Sequence, residues 1–393
     1  MHEVVIVGAV RTAIGKLGGA VAEVPAVELG AVVVRESLRR TGVSPEEVDE
    51  VILGHVVQAG CGLNPARQAS LKAGLPVTVP ATTVNKVCAS GMKAVALACQ
   101  AVATGEARVV VAGGMESMSG APFLLRRARW GYRLGDDALA DAILSDALHD
   151  PSAGCHMGIT AENLATEFSI SRTEQDAFAA ESQRKAAAAQ AAGAFAAEIV
   201  PVEVPQRCGP SLCFAADEFI RPDTTPQALA ALKPAFQADG TVTAGNSSGI
   251  NDGAAAMVLM SRDEAERRGI QPLARVVSWA SAGVEPERMG LGPVPASRVA
   301  LKRAGLEQSD LELVELNEAF AAQALAVLRQ LDPDPARVNV NGGAIALGHP
   351  VGASGARILV TLLHALAQRQ ARRGLASLCV GGGQGMAMVV ERL

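Results

Sequence analysis

The sequence predicts an α/β fold built from two copies of one unit, layered helix, sheet, helix, sheet, helix, with a loop domain inserted between them. Three observations carry this. First, strand-like and helix-like stretches alternate at both ends of the chain, the pattern of α/β units with helices on both faces of a mixed or mostly parallel sheet. Second, Cys88-Ala89-Ser90-Gly91 is matched by Gly352-Ala353-Ser354-Gly355, with the serines 264 residues apart, and Leu38 to Val43 is matched by Leu301 to Leu306, with the glycines 263 apart. Two matches at nearly one spacing point to an internal duplication. Third, from about Ser119 to Gly249 the alternation gives way to turn-rich sequence, and a long insertion between sheet units commonly carries function. The units are drawn as 1–118 with 250–271, a loop domain at 119–249, and 272–393.

The elements follow in order. Residues 4–10 are apolar and β-branched and reach Gly8, so a buried first strand is expected. The turn Gly8-Ala9-Val10-Arg11 lacks the spacing of a dinucleotide fingerprint. Residues 28–40 read as a helix stopped by Gly42. Ser44-Pro45-Glu46-Glu47 reads as a capped helical turn. A helix beginning at Asn64-Pro65 is expected to carry Arg67 and Gln68 towards Cys88. After the hydrophobic run Val109 to Gly114 comes the insertion, with one amphipathic helix at 173–192 and the cations Arg126, Arg127, Arg129 and Arg221. The small residues of 243–254 would let backbone approach a thin ligand arm closely. Strand returns at Val258-Leu259-Met260, and each half is expected to hold five strands.

Composition narrows the function. The chain has 393 residues, 49% hydrophobic and 19% charged, with a formal net charge of −5. It carries no basic footprint for nucleic acid. The first residues enter a strand at once, without the layout of a signal peptide, and the longest uncharged stretches are rich in glycine and polar residues, so neither reads as a membrane span. Seven cysteines form no C-x-x-C pair, which fits reduced thiols in a cytoplasm, with no metal site.

Chemistry is expected where the halves differ. Cys88 stands at a strand-to-helix turn, where the helix dipole favours thiolate; a buried core cysteine is the competing reading. The polar residues that set the other half apart are Asn317, His349 and Cys379. In order, V-N-K-V-C-A-S-G at 84–91, H-M-G-I-T-A-E-N at 156–163, G-N-S-S-G-I-N-D-G-A-A-A at 245–256, N-E-A-F at 317–320, G-H-P-V-G-A-S-G at 348–355 and C-V-G-G-G at 379–383 resemble the motifs of the thiolases along the whole chain.

The resemblance implies acyl transfer between coenzyme A thioesters: two acetyl-CoA condense to acetoacetyl-CoA and CoA, or a short 3-ketoacyl-CoA is cleaved. It makes Cys88 the acylated nucleophile, His349 the group that takes its proton, and Cys379 the base at the α-carbon. One oxyanion hole would be formed by His349 with a water held by Asn317, the other by the N–H groups of Cys88 and Gly381. The loop domain would hold CoA, which is substrate and product rather than cofactor. Arg221 would lie near the nucleotide, Leu148, His156, Met157, Phe236, Ala244 and Ser248 along the pantetheine, and Met289, Ala319 and Phe320 at the acyl end. A homotetramer built from tight dimers, in fatty acid metabolism, is implied on the same ground.

H-M-G at 156–158 resembles the acetoacetyl-CoA-forming branch, whereas Glu315-Leu316-Asn317 and Gly383-Gln384-Gly385 are shared with broader degradative 3-ketoacyl-CoA thiolases. Chain length therefore stays open. Two other readings differ in kind: a condensing enzyme that pairs its cysteine with two histidines, against which Cys379 occupies the base position, and a non-catalytic acyl-CoA-binding protein.

Overall fold

The structure, a computed structural model, describes residues 2–393. Its main sheet runs through β1 (Val4–Thr12), β2 (Glu50–Gly54), β3 (Ala81–Val84), β4 (Val109–Ser117), β5 (Asn251–Ser261), β6 (Ala274–Gly283), β7 (Leu313–Leu316), β8 (Arg373–Val380) and β9 (Gln384–Arg392). Their spatial order is β7-β8-β9-β6-β1-β5-β4-β2-β3. Short strands at Gly15–Lys16 and Ile199–Val200 attach to β5 and β1.

Two separate sheets were expected, but the structure joins them. β1 and β6 pair antiparallel over only two positions, Val5 with Arg275 and Ile6 with Ala274, so each half keeps its own ladder across a thin seam. In the first half β3, β2 and β4 run parallel and β5 and β1 antiparallel. In the second, the fifth strand shrinks to one bridge between Val314 and Val338. The chain turns away there because Asn339 (φ 43°) and Gly342 (φ 80°) take left-handed backbone, which cannot continue a strand. The duplication survives in the register: Glu50 faces Val110 where Leu313 faces Gly374, offsets of 263 and 264.

The helices that matter are α1 (Ala26–Thr41), α2 (Pro65–Lys72), α3 (Ser90–Thr104), α4 (Met157–Glu167), α5 (Arg172–Ala191), α6 (Pro293–Ala304), α7 (Ala321–Leu331) and α8 (Val351–Gln368). α1 and α2 cover the outer face of the first half. α6 packs on β6 and β9, and with α7 covers the outer face of the second. α3 and α8 lie between the two sheet halves and share one core with both, completing the five layers. Among the described residues they are the two helices apolar and long enough to cross a membrane, but most of each is buried inside this core. They cross where the duplicated motifs place glycine: a Cβ on Gly91 would come within 2.8 Å of the Ala356 nitrogen, and one on Gly355 within 2.6 Å of the Met92 nitrogen.

The first strand runs past Gly8 to Thr12 and is buried throughout, with a bulge at Val7 between the paired Ile6 and Gly8. α1 ends at Gly42 (φ 67°), as its left-handed C-cap requires. α5 starts at Ser171, whose hydroxyl and Glu174 exchange capping hydrogen bonds. α4 was not anticipated, although buried Met157, Ala161, Leu164 and Ala165 recur at i, i+4, i+7 and i+8, the spacing of a helical face.

Candidate active site

Cys88 sits at the end of a tight turn from β3 into α3. The Lys86 N–H donates to Ser90 Oγ (2.8 Å), and Ser90 Oγ donates to the Val87 carbonyl (2.6 Å). Val87, a β-branched residue, is held at φ 47°, a conformation that costs about 1–3 kcal/mol and persists only where the surroundings impose it. The turn fixes the half-buried Cys88 thiol in a cavity of about 40 Å³ that is also lined by Leu148, Met157, Ser248, Met289, Ala319, Phe320, His349, Cys379 and Gly381.

The four catalytic candidates in that cavity come from three places in the fold. His349 and Cys379 belong to the second half, at the entry to α8 and the end of β8, and Gly381 opens the turn after β8. There Gly382 (φ 83°) and Gly383 (φ 76°) take left-handed backbone, and Asp150 Oδ2 accepts the Gly382 N–H (2.9 Å). A Cβ on Gly381 would stand 2.7 Å from Met157 Cε, so a side chain there would push the Met157 methyl out of its place in the pocket wall. The N–H groups of Gly381 and of Cys88 itself both act on the Cys88 sulfur.

Electrostatics correct one expectation. Burial pushes the Cys88 thiol up to about 11, outweighing the two N–H groups that pull it down; desolvating the anion costs more than the helix start returns. Burial also pushes His349 down to about 3, with the Arg357 guanidinium adding to the effect. Cys379, fully buried, is raised well above an ordinary thiol by burial and next by Cys88, so the two sulfurs interact. All three groups are therefore uncharged at neutral pH.

His349 is oriented twice. Its backbone N–H donates to Asn251 Oδ1 (2.9 Å), which fixes the main chain, and its ring Nδ1 lies 2.5 Å from Ser354 Oγ. The Ser354 hydroxyl gives its hydrogen to the Pro350 carbonyl (2.8 Å), so it accepts from Nδ1–H and leaves Nε2 with a free lone pair. Asn317 does not line the cavity. It is fully buried, its N–H extends the ladder to Ser377 (2.9 Å), and both polar atoms of its side chain lack a protein partner, which suits it to hold a water.

A channel of about 560 Å³ shares Leu148, Ser248, Phe320, His349 and Val351 with this cavity and leads outward past His156, Phe236, Ala244 and Arg221. The ten substrate-side candidates thus line one or other of two continuous spaces. His156 stacks on Phe236 (4.7 Å between centroids, 23°), and Phe236 meets Phe320 edge-on (6.0 Å, 85°). Arg221 is exposed near the outside, its guanidinium over the Phe219 ring. Arg67 and Gln68 are not brought here: Arg67 binds the Val77 and Val79 carbonyls and Gln68 those of Cys61 and Leu63. Sequence reasoning also missed Asn251 and Ser354, although the match of Ser354 to Ser90 was the available signal for the second.

The family model described as thiolase, N-terminal domain, matches residues 4–263, and that for the thiolase C-terminal domain matches residues 270–392. The chain belongs to the thiolase family. This thiolase is 59% identical to the acetyl-CoA acetyltransferase of Cupriavidus necator and 59% identical to that of Escherichia coli, covering 100% of both chains in each case. It is 55% identical to a probable acetyl-CoA acyltransferase of Staphylococcus epidermidis, over 100% of this chain and 99% of the other. The crystal structure of the Bacillus anthracis acetyl-CoA acetyltransferase superposes with a TM-score of 0.98 at 49% identity, covering 100% of this thiolase and 99% of that chain.

Proposed function

We propose that this thiolase is an acetyl-CoA acetyltransferase, joining two acetyl-CoA to acetoacetyl-CoA and CoA and running the reverse cleavage through an acyl group held on Cys88. The observation that carries the reading is the convergence of Cys88, His349, Cys379 and Gly381 on one small apolar cavity at the inner end of a channel.

Pantetheine would enter along the channel and place the thioester carbonyl beside Cys88. With the Cys88 thiol raised and His349 lowered, a preformed thiolate–imidazolium pair is disfavoured. His349 Nε2 therefore takes the proton as the carbon–sulfur bond forms, and returns it to the departing CoA sulfur. The N–H groups of Cys88 and Gly381 face the oxygen that gains charge. In the second half-reaction Cys379 removes the α-proton of a second acetyl-CoA, while His349 and an Asn317-held water stabilise the enolate oxygen. Two sulfurs are needed because one is already acylated.

The cavity, about 40 Å³ and closed by Met157, Met289, Ala319 and Phe320, favours a two-carbon acyl group over longer chains. The proposal extends to the cytoplasm, which the unpaired cysteines support, and to fatty acid metabolism and a homotetramer, which the family resemblance supports. The test is CoA-dependent cleavage of 3-ketoacyl-CoA esters of four to ten carbons. A kcat/KM highest at four carbons is expected, and a higher value at ten would overturn the short-chain reading. No turnover of any ester would overturn the enzyme reading.

A further inference from the structure

The turns that carry Cys88 and Gly381 come from opposite halves of the chain, and a side-chain hydrogen bond ties them directly together. Lys86 Nζ donates to Gln384 Oε1 (2.6 Å) across 298 positions of sequence. Both side chains are half-buried. Neither lines the acyl pocket or its channel, and no step of the acetyl transfer uses them.

Each end of this contact is rooted in the backbone of its own turn. Lys86 opens the turn that ends at Cys88: its N–H donates to Ser90 Oγ (2.8 Å) and its carbonyl accepts from the Ala89 N–H (3.1 Å). Gln384 closes the glycine turn after β8. Its backbone pairs with Val380 on one side and Gly283 on the other, and a Cβ on Gly292 would come within 2.0 Å of its carbonyl oxygen. The Gln384 side chain runs back over the turn, with Nε2 4.0 Å from where a Cβ on Gly382 would stand.

The two catalytic groups of that segment are held differently. Cys379 is a ladder residue of β8 opposite Gly385, so the sheet sets its place. Gly381 lies beyond the ladder and is followed by the left-handed Gly382 and Gly383, a run whose backbone is restrained by no side chain of its own. Asp150 ties the Gly382 N–H to the loop domain; the Lys86–Gln384 bond ties the same turn to Cys88. The acceptor is an amide, which takes the ammonium hydrogen without bringing a negative charge towards a site where an oxyanion forms.

We propose that Lys86 and Gln384 are positioning residues for acyl transfer: their hydrogen bond sets the distance between the Cys88 and Gly381 N–H groups, and so governs the first half-reaction while the second depends on groups held elsewhere. The proposal rests on the acetyl-transfer reading above. Oxyanion donors act only within a narrow range of distance, and a misplacement of about 1 Å costs up to about a hundredfold in rate.

The test uses the full-length protein and two variants of similar side-chain size, Lys86→Met and Gln384→Met, alone and combined. Rapid-quench labelling with radiolabelled acetyl-CoA gives the rate of Cys88 acetylation. Exchange of α-protons with deuterated water, measured once labelling is complete, gives the second half-reaction alone. Each single variant should acetylate about tenfold more slowly and exchange within about twofold of wild type, a split that a general loss of structure would not produce. The double variant should be no more than about twofold slower than the slower single one, because one contact can be removed only once. Overturning results are wild-type acetylation in both single variants, exchange that falls as far as acetylation, or single effects that multiply in the double variant. A wild-type protein that takes no label at Cys88 would overturn the acetyl-transfer reading and this proposal with it, whereas label in the wild type with any of those three results overturns this proposal alone.

Discussion

Replacing Cys379 with alanine separates the two half-reactions. The side chain is fully buried at the end of β8 and lines the same cavity as Cys88. Removing its sulfur takes away little buried surface, so stability should fall by about 1 kcal/mol or less, the low end for buried truncations. Catalysis should fall much further. A positioned base contributes roughly 10²–10⁴ in rate, or about 2.7–5.5 kcal/mol at 1.36 kcal/mol per tenfold, and no other protein acid or base besides His349 and Cys88 lines the cavity. Attack by Cys88 does not use that sulfur, because the proton goes to His349 and the oxygen is met by Cys88 and Gly381. Radiolabelled acetyl-CoA should therefore still acetylate Cys379→Ala, while condensation collapses and exchange of the α-protons with deuterated water stops. Cys88→Ala should show the converse, with no acetyl-enzyme and residual exchange. If Cys379→Ala loses acetyl labelling but keeps wild-type exchange, the two cysteines have been assigned to each other's roles.

Four further outcomes are expected. Ser354→Ala leaves His349 Nδ1 without its 2.5 Å partner, so kcat should fall about tenfold to a hundredfold, matching about 1–3 kcal/mol for an orphaned buried donor; an unchanged kcat would show that the ring is held in place by packing and not by this hydrogen bond. His349 is neutral above its lowered pKa of about 3, so its base form persists down to that value, while stability falls as pH drops from 6.5 towards it because only the unfolded ring is protonated there; a kcat/KM limb centred at 6.5 and abolished by changing His349 would contradict the burial. Gly381→Ala puts a methyl 2.7 Å from Met157 Cε and should slow acetyl labelling, which Met157→Ala should partly restore if the clash is the cause. Light scattering at micromolar concentration should give a mass near four chains, and a monomer would remove the proposed assembly.

Where local chemistry decides the structure, the sequence was readable. Ser90 and Gly91 mark the Cys88 turn, Gly42 the end of α1, and the matched motifs the crossing of α3 with α8. What escaped depends on contacts remote in sequence. The rise of the Cys88 pKa comes from walls that include Met157, Met289 and Phe320, none of them near it in the chain. The seam between β1 and β6 rests on two residue pairs, too few to leave a pattern. Arg67 and Gln68 carry the right chemistry for a ligand, but the direction of α2 spends it on neighbouring carbonyls. Lys86 and Gln384, 298 positions apart, acquire meaning only when the turns after β3 and β8 come together.

The equal registers of the two halves also mean that the molecule contains two places where a pocket could form, related by the repeat. Only one is hollow. At the corresponding location, Cys88 is replaced by Gly352, His349 by Asn85, Cys379 by Met115 and Asn317 by Gly54, and main chain fills the space: a methyl on Gly114 would lie 2.1 Å from the Gly352 carbonyl oxygen, and one on Gly54 2.5 Å from the Ser90 carbonyl carbon. One copy of the unit has thus kept its crevice open while its twin is packed shut, and the twin's glycines let α8 press close enough to hold the working crevice in shape.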